Sequence, residues 1–307
     1  MYMKKSWVVV TGGTGMIGQA VCKKLHKHGY AVRVLSRAAR EPSAYVDDFA
    51  VWDPSSRVLP IDAIRGAEAI VHLAGSPIAK RWTTSQRTNI LDSRIQSSQI
   101  LLEALGKLDP HERPSSIISA SAIGWYPNSD ETWDESSAAG AGFVSEVVQQ
   151  WESTIRQASD LGCRTACLRI GLVLSLKGGV LKSLSPVFSL GLGSPIGNGN
   201  HWQSWIHIDD LTRMIRWAIE TPSVSGPVNA VSPQPVTNRA FSKAFAKAMH
   251  RPFFTPSVPR WILRLVFGEM SSILFASNRI EPGVATECGF EFHHPKIEEA
   301  MESLYQA

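Results

Sequence analysis

Residues Val8 to Gly18 read Val-Val-Val-Thr-Gly-Gly-Thr-Gly-Met-Ile-Gly: an apolar run enters a glycine-rich turn, and an amphipathic stretch follows. Gly12, Gly15 and Gly18 recur every third residue. A strand, a tight turn and a helix in that order set free backbone N–H groups at the head of the helix, where a pyrophosphate can settle. The spacing is Gly-x-x-Gly-x-x-Gly and differs from the Gly-x-Gly-x-x-Gly form. Placed within the first twenty residues, this turn commits the chain to opening with a strand–helix unit of an α/β fold.

The remaining periodicity agrees. Ile17, Val21 and Leu25 make one apolar helical stripe, with Gln19, Lys23, Lys24 and Lys27 on the other side and Gly29 as the stop. Strands are expected at Ala31–Leu35, Ala50–Trp52, Ala69–Leu73, Ser116–Ala120 and Thr165–Ile170. A long helix is expected over Thr84–Leu105, and another carries Val144, Val147, Val148, Trp151 and Ile155. Apolar strands alternating with helices imply a doubly wound, Rossmann-type parallel sheet covered on both faces. Beyond Val173 the chain becomes rich in Gly and Pro, returns with a helix at Asp209–Ile219 and a strand at Pro227–Val231, and ends in helical patterns at Phe241–Met249 and Trp261–Phe267. The expected division is a nucleotide-binding domain of residues 1–175 and 203–232, with a smaller lobe of 176–202 and 233–307 closing over the strand ends.

Composition removes several classes. A net charge of +4 on 307 residues, with scattered cations, argues against a nucleic-acid-binding face. Cys22, Cys163, Cys167 and Cys288 lack metal-ligand spacing and read as reduced core thiols, so no metal is expected. No apolar stretch is long enough to span a bilayer and the first strand begins at once, so a cytoplasmic protein without a membrane partner is expected. A homodimer is left open.

The end of the second strand reports on cofactor type. An acidic residue there would hold a ribose 2′-hydroxyl, whereas Arg suits a 2′-phosphate. The chain has Ser36-Arg37, then Arg40, and no carboxylate before Glu41, which favours NADP(H).

Thr11-Gly12-Gly13-Thr14-Gly15-Met16-Ile17-Gly18, Asp53, and His72-Leu73-Ala74-Gly75 together resemble the extended short-chain dehydrogenases/reductases. More narrowly, Gly191 to Gly197, Gln203 to Leu211, and the tail from Phe267-Gly268-Glu269-Met270 to Gly289-Phe290-Glu291-Phe292 resemble an atypical, epimerase-like branch with a small C-terminal domain of unassigned role. The resemblance covers nearly the whole chain and is poor as to reaction. With the glycine turn (Gly12, Thr14, Gly15, Met16, Ile17) and Ser36 and Arg37 already read as cofactor contacts, the resemblance implies Asp53 near the adenine and Leu73, Ala74 and Gly75 as a wall beside adenosine and ribose. Asp53-Pro54 reads equally as a turn starter. Asn89 and Arg94 stand where the family places cofactor contacts, although the usual residue at Arg94 is Asn; a surface Arg pairing with Asp92 or Glu103 is the competing reading.

Ser121 matches the family's active-site Ser. Its usual partners, a Tyr-x-x-x-Lys on the next helix, are replaced by Phe143 through Val147, which removes the proton-transfer phenol and the ammonium that tunes it. Tyr126 is the one phenol in the loop, so Ser121 with Tyr126 is the candidate catalytic pair. With no ammonium beside it, Tyr126 should keep a pKa near ~10 and act slowly. A loop-fixing role before Pro127 competes with this. His207, Asp209 and Asp210 open a helix and read as caps, and Asp130 to Glu135 as a solvated loop. The expectation is an NADP(H)-dependent oxidoreductase or epimerase acting on an unidentified small molecule, with nucleotide sugars among the candidates. Its rival is a non-catalytic NADP(H)-binding regulator.

Overall fold

The computed structural model describes residues 6–254 and 256–306. Seven strands, β1 (Trp7–Thr11), β2 (Ala31–Ser36), β3 (Asp48–Val51), β4 (Ala69–His72), β5 (Ser116–Ala122), β6 (Arg164–Ile170) and β7 (Gly226–Ala230), form one sheet in the order β7-β6-β5-β4-β1-β2-β3. Every pairing is parallel, for example Val10 beside Val34 on one side and Val71 on the other. The order reverses at β1, so the crevice at the carboxyl ends of β1 and β4 is the switch point where such sheets take their ligands.

Val8, Val10, Val32, Val34 and Val71 face one apolar layer. It is completed by α1 (Met16–Lys27) and by Leu211, Met214, Ile215 and Ala218 of α5 (Ile208–Glu220). Val9, Ile70, Ile117 and Cys167 face the other layer, covered by Ile100, Leu101 and Leu105 of α2 (Thr84–Gly106) and Ile155 of α3 (Phe143–Arg156). Period-two alternation along each strand divides the residues between these layers. All four cysteines are free thiols, three of them buried. Helix α1 stops as its sequence indicates: His28 is the cap and Gly29, at φ +91°, turns the chain back so that Tyr30 N–H reaches Leu25 O.

A third apolar cluster joins Leu181 and Phe188 of α4 (Gly179–Ser189), Trp205, Phe241 and Phe245 of α6 (Asn238–Ala248), and Ile297 and Met301 of the C-terminal helix (Ile297–Gln306). Most of this cluster comes from the segments expected to form the smaller lobe, whereas Trp205 comes from the expected nucleotide-binding domain. Ala285 and Phe290, expected in that lobe, pack against the sheet's first layer. Helix α7 (Arg260–Phe267) contributes no fully buried residue to any core. None of the described helices is long and apolar enough to cross a membrane.

Candidate functional site

The glycine turn divides its work among its members. Gly12 has φ +67°, and a Cβ there would lie 2.7 Å from the Leu73 carbonyl oxygen, so the turn lies directly on the end of β4. A Cβ on Gly18 would sit 2.6 Å from Gly13 Cα and closer still to Gly12 O; that glycine seats α1 on the turn. Gly15 differs. Its backbone is extended at φ −77°, it is exposed as the N-cap of α1, and its Cβ would meet only Gly12 O at 3.3 Å. The N-terminus at Gly15, the dipole's positive end with no acidic residue in the first turn, has the electrostatics to hold an anion. Thr14 is exposed and its carbonyl accepts from Gln19 Nε2 at 2.8 Å, while Met16 and Ile17 are half-buried at the helix head. A Cβ on Gly178 would lie 3.0 Å from Met16 Sδ, so the turn before α4 covers one flank of this space.

Thr11 welds the switch point. Its Oγ1 accepts the N–H groups of Leu73 and Ala74 at 3.1 Å each and lies 2.9 Å from His72 Nδ1. With both acceptances used, the hydroxyl proton points to Nδ1, which assigns the imidazole proton to Nε2. Nε2 faces the hydroxyls of Ser97 (3.4 Å) and Ser98 (3.3 Å), whose own protons go to Ser93 O and Arg94 O. His72 is fully buried, and burial pushes its pKa down to about 4, so it is a neutral tie between β1, β4 and α2.

On one flank of the crevice, Ser36 is buried and its hydroxyl donates to Ala38 O at 2.5 Å, shaping the turn after β2. Arg37 is exposed at that turn with no hydrogen-bond partner among the described residues. Asp53 follows β3 and accepts from Ser55 N–H (3.0 Å) and Ser55 Oγ (2.7 Å); these bonds, with a weaker pull from Arg37, hold its pKa below the usual carboxylate range. It therefore starts a 3-10 turn with both oxygens engaged.

On the other flank, Gly75 backs onto Arg94: a Cβ there would lie 3.4 Å from the guanidinium carbon. Arg94 pairs with neither Asp92 nor Glu103. Its Nη1 donates to Ser76 O (3.2 Å) and Ile90 O (2.9 Å), and its guanidinium lies 5.1 Å from the Trp151 ring centroid. Burial without a carboxylate lowers its pKa to about 10. A half-buried cation beside the exposed Gly75 backbone is suited to a polyanion. Asn89 is exposed on α2, five residues and so about 140° around the helix from Arg94, and the structure does not bring the two together.

Ser121, near the end of β5, donates its hydroxyl to Glu152 Oε1 at 2.5 Å. Glu152 grips Arg169 with both oxygens (2.9 and 3.0 Å), and each of these two side chains is only 2% exposed. Arg169 Nη1 donates to the Tyr126 oxygen at 2.9 Å, and Tyr126 donates to Asn229 Oδ1 at 2.7 Å. The guanidinium also lies 3.9 Å from the Trp125 ring centroid. Thus Ser121 and Tyr126 belong to one buried network, joined through an ion pair. The expectation of an ordinary phenol without a cation is corrected on both counts. Arg169 stands beside Tyr126, yet burial outweighs it and pushes the pKa up to about 12, leaving the phenol a poor base near neutrality. Where the usual Tyr and Lys would stand, Phe143 packs edge-on against Trp82 (5.1 Å) under the Arg87 guanidinium (4.3 Å), and Val147 is buried. Arg87 in turn pairs with Glu269 at 3.0 Å, tying the 3-10 turn Gly268–Met270 to the head of α2.

Two further expectations change. The stretch from Asp130 to Glu135 is largely exposed, as expected, but it is anchored at both ends: Asp130 accepts from Ser277 Oγ, and half-buried Glu135 accepts the Asn229 N–H at 2.8 Å. At the head of α5 the cap is His207, whose Nδ1 accepts Asp209 N–H at 3.1 Å. Asp209 pairs with Lys24 (2.7 Å), and buried Asp210 accepts the N–H groups of His293 and His294 (2.9 Å each). Asp209 thus ties α5 to α1 and Asp210 fastens residues 293–294 to the head of α5, structural roles that account for both carboxylates. Glu152, Arg169 and Asn229 were missed as site residues. A charge inside the apolar strand Thr165–Ile170 and another on the apolar face of α3 were the available signal.

Residues 8–231 match the model of the NAD dependent epimerase/dehydratase family, and 258–304 match a domain of unknown function, DUF1731. An epimerase family protein of Mycobacterium bovis is 36% identical over 303 residues, covering 97% of each chain. The epimerase family protein YfhF of Bacillus subtilis is 35% identical over 97% of each. Among solved structures, human epimerase family protein SDR39U1 with NADPH superposes with a TM-score of 0.87 at 31% identity, covering 98% of this chain and 99% of that one. UDP-N-acetylglucosamine 4-epimerase from Bacillus cereus shares the fold at 18% identity, with a TM-score of 0.76 over 98% of this chain and 99% of that one.

Proposed function

The chain belongs to the NAD dependent epimerase/dehydratase family, and we propose that it is an NADP(H)-dependent oxidoreductase or epimerase acting on a small molecule held between the sheet and the smaller lobe. The observation that carries this reading is the exposed N-cap Gly15 at the switch point, flanked by two cations that form no salt bridge among the described residues, Arg37, which acts only weakly on Asp53, and Arg94. A dinucleotide fits these groups. Its pyrophosphate would meet the N–H groups at the head of α1, and its adenosine would lie along Leu73, Ala74 and Gly75. Arg37 would take the 2′-phosphate. The human relative, whose structure was solved with NADPH, agrees with that choice. Asp53, Thr14, Met16, Ile17, Ser36 and Asn89 complete the proposed contacts, Ser36 and Asp53 by shaping the two turns.

Bound NADP(H) would supply hydride chemistry. Of the expected pair, Ser121 is the group proposed to meet substrate: with its proton given to Glu152, the hydroxyl oxygen can still accept a hydrogen bond from a substrate hydroxyl. Tyr126 holds Arg169 and, with a pKa about 12, is not the base. A specific observation also favours the rival reading of a binding protein that senses cofactor redox state: Phe143 and Val147 occupy the places of a proton-transfer pair. Following NADPH absorbance with a panel of carbonyl compounds separates the two. Oxidation with any of them, lost in Ser121→Ala, supports the enzyme. Tight NADPH binding without turnover supports the sensor.

A further inference from the structure

Large apolar side chains are seldom left in water together, and here their distribution is uneven. Seven of the eleven exposed ones among the described residues fall in two short segments. Val187, Leu190 and Leu192 close α4 and the turn after it; Phe254, Trp261, Leu265 and Val266 lie just before and along α7. The two segments are neighbours in space. Ile196 bridges to Val258, Gly197 N–H donates to Val258 O at 2.9 Å, and a Cβ on Gly191 would touch Pro252 at 3.5 Å. Phe254, Trp261 and Leu265 are 81%, 68% and 72% exposed, so they stand out of the surface and do not line a groove.

The charge of these segments is one-sided. Between Glu220 and Glu269 the sequence has six cations, Arg239, Lys243, Lys247, Arg251, Arg260 and Arg264, and no carboxylate; between Asp160 and Asp209 it again has no carboxylate. Trp261 and Leu265 share one face of α7 at i and i+4, with Arg260 and Arg264 at i and i+4 beside it. A second copy related by a two-fold axis would set these cations against one another. An exposed Trp and Leu with flanking Arg side chains form the pattern of a helix that lies in a lipid headgroup layer.

We propose, against the expectation of no membrane partner, that this face, α7 with the turn after α4, is a peripheral docking surface for an anionic lipid bilayer. The apolar side chains enter the headgroup–acyl boundary, and Arg251, Arg260 and Arg264 meet the anionic headgroups. No described helix is long and apolar enough to cross the bilayer, so attachment is interfacial and reversible.

The test is co-sedimentation of the full chain with vesicles, either phosphatidylcholine alone or equal parts phosphatidylcholine and phosphatidylglycerol. Binding is expected to the mixed vesicles only and to weaken with added salt. Arg264→Ala should lower the partition about fivefold, and Leu265→Glu at least about tenfold. Position 265 is exposed, so Leu265→Glu should keep the native circular dichroism spectrum; Trp261→Glu serves as an independent second variant. No sedimentation with the mixed vesicles, equal sedimentation with both kinds, or full binding by both Glu variants would overturn the proposal. So would a native dimer in ultracentrifugation that Leu265→Glu splits, since the face would then belong to a second copy.

Discussion

Glu152 on α3 and Arg169 on β6 form a two-bond pair almost wholly removed from solvent, and through it Ser121 and Tyr126 are held in fixed positions. Burying two charges is costly; Arg169 is further held by the Tyr126 oxygen, to which Nη1 donates, and by the Trp125 ring beside its guanidinium. Removing one member leaves an uncompensated buried charge. Glu152→Gln should therefore lower stability by about 3–5 kcal/mol, and replacing both residues by Met should recover part of that loss. Denaturant midpoints of the three proteins check this; a Glu152→Gln midpoint equal to the native one would show that the pair is not doing what its geometry indicates.

The glycine turn gives a paired expectation. Gly15→Val should fold, because its Cβ would meet only the Gly12 carbonyl oxygen, at 3.3 Å, yet it should lose NADP(H) binding by filling the pyrophosphate position. Gly18→Ala should instead cost about 1–3 kcal/mol of stability, since its Cβ would meet the Gly12 and Gly13 backbone. Circular dichroism melts and cofactor titrations on both proteins distinguish a ligand space from a packing contact. Tight binding by Gly15→Val would place the ligand elsewhere.

Neutral His72 makes stability depend on pH. Its folded pKa is about 4 against an ordinary value near 6.5, so below pH 6.5 the unfolded chain takes up a proton that the folded chain refuses. Stability contributed by His72 is complete above about pH 6.5 and is lost as pH falls toward 4, by about 3 kcal/mol in all. His207, also displaced to about 4 mainly by burial, acts in the same direction. Unfolding free energies between pH 7 and 5 should fall less steeply for His72→Gln than for the native chain. Parallel curves would contradict the neutral tie.

Tyr126 offers a sharper separation of roles. If it only holds Arg169, Tyr126→Phe should lower stability by about 1–3 kcal/mol while any turnover keeps its pH profile. A phenol acting as base would instead show in the native protein as a rate rising with pH, lost in the variant. The rate profile checks this independently of the melt.

Much of the fold was legible because it is local. Strand runs apolar on both faces, the stop at Gly29 and the stripe Ile17, Val21, Leu25 each report on their own segment. The glycine turn could be placed on the same basis, since its geometry is encoded within eleven residues. What failed to show was pairing across the chain. Arg94 could be named, but not its reliance on backbone carbonyls in place of Asp92 or Glu103. Glu135 looked solvated because its partner, the Asn229 N–H, is a backbone group almost a hundred residues away. The phenol of Tyr126 was expected to titrate normally because neither its burial nor Arg169 lies in its own segment. Periodicity encodes which face of an element is buried; it does not encode which buried charge meets which.

The central claim, an NADP(H) site at the glycine turn with Arg37 reading the 2′-phosphate, is tested most directly by calorimetric titration of the native chain and Arg37→Ala with NADPH and with NADH. The native chain should bind NADPH about ten- to a hundredfold more tightly than NADH, as a charge-assisted phosphate contact allows. Arg37→Ala should erase most of that difference while leaving NADH affinity unchanged. Equal affinities of the native chain for the two cofactors, or a preference that survives in Arg37→Ala, would contradict the account.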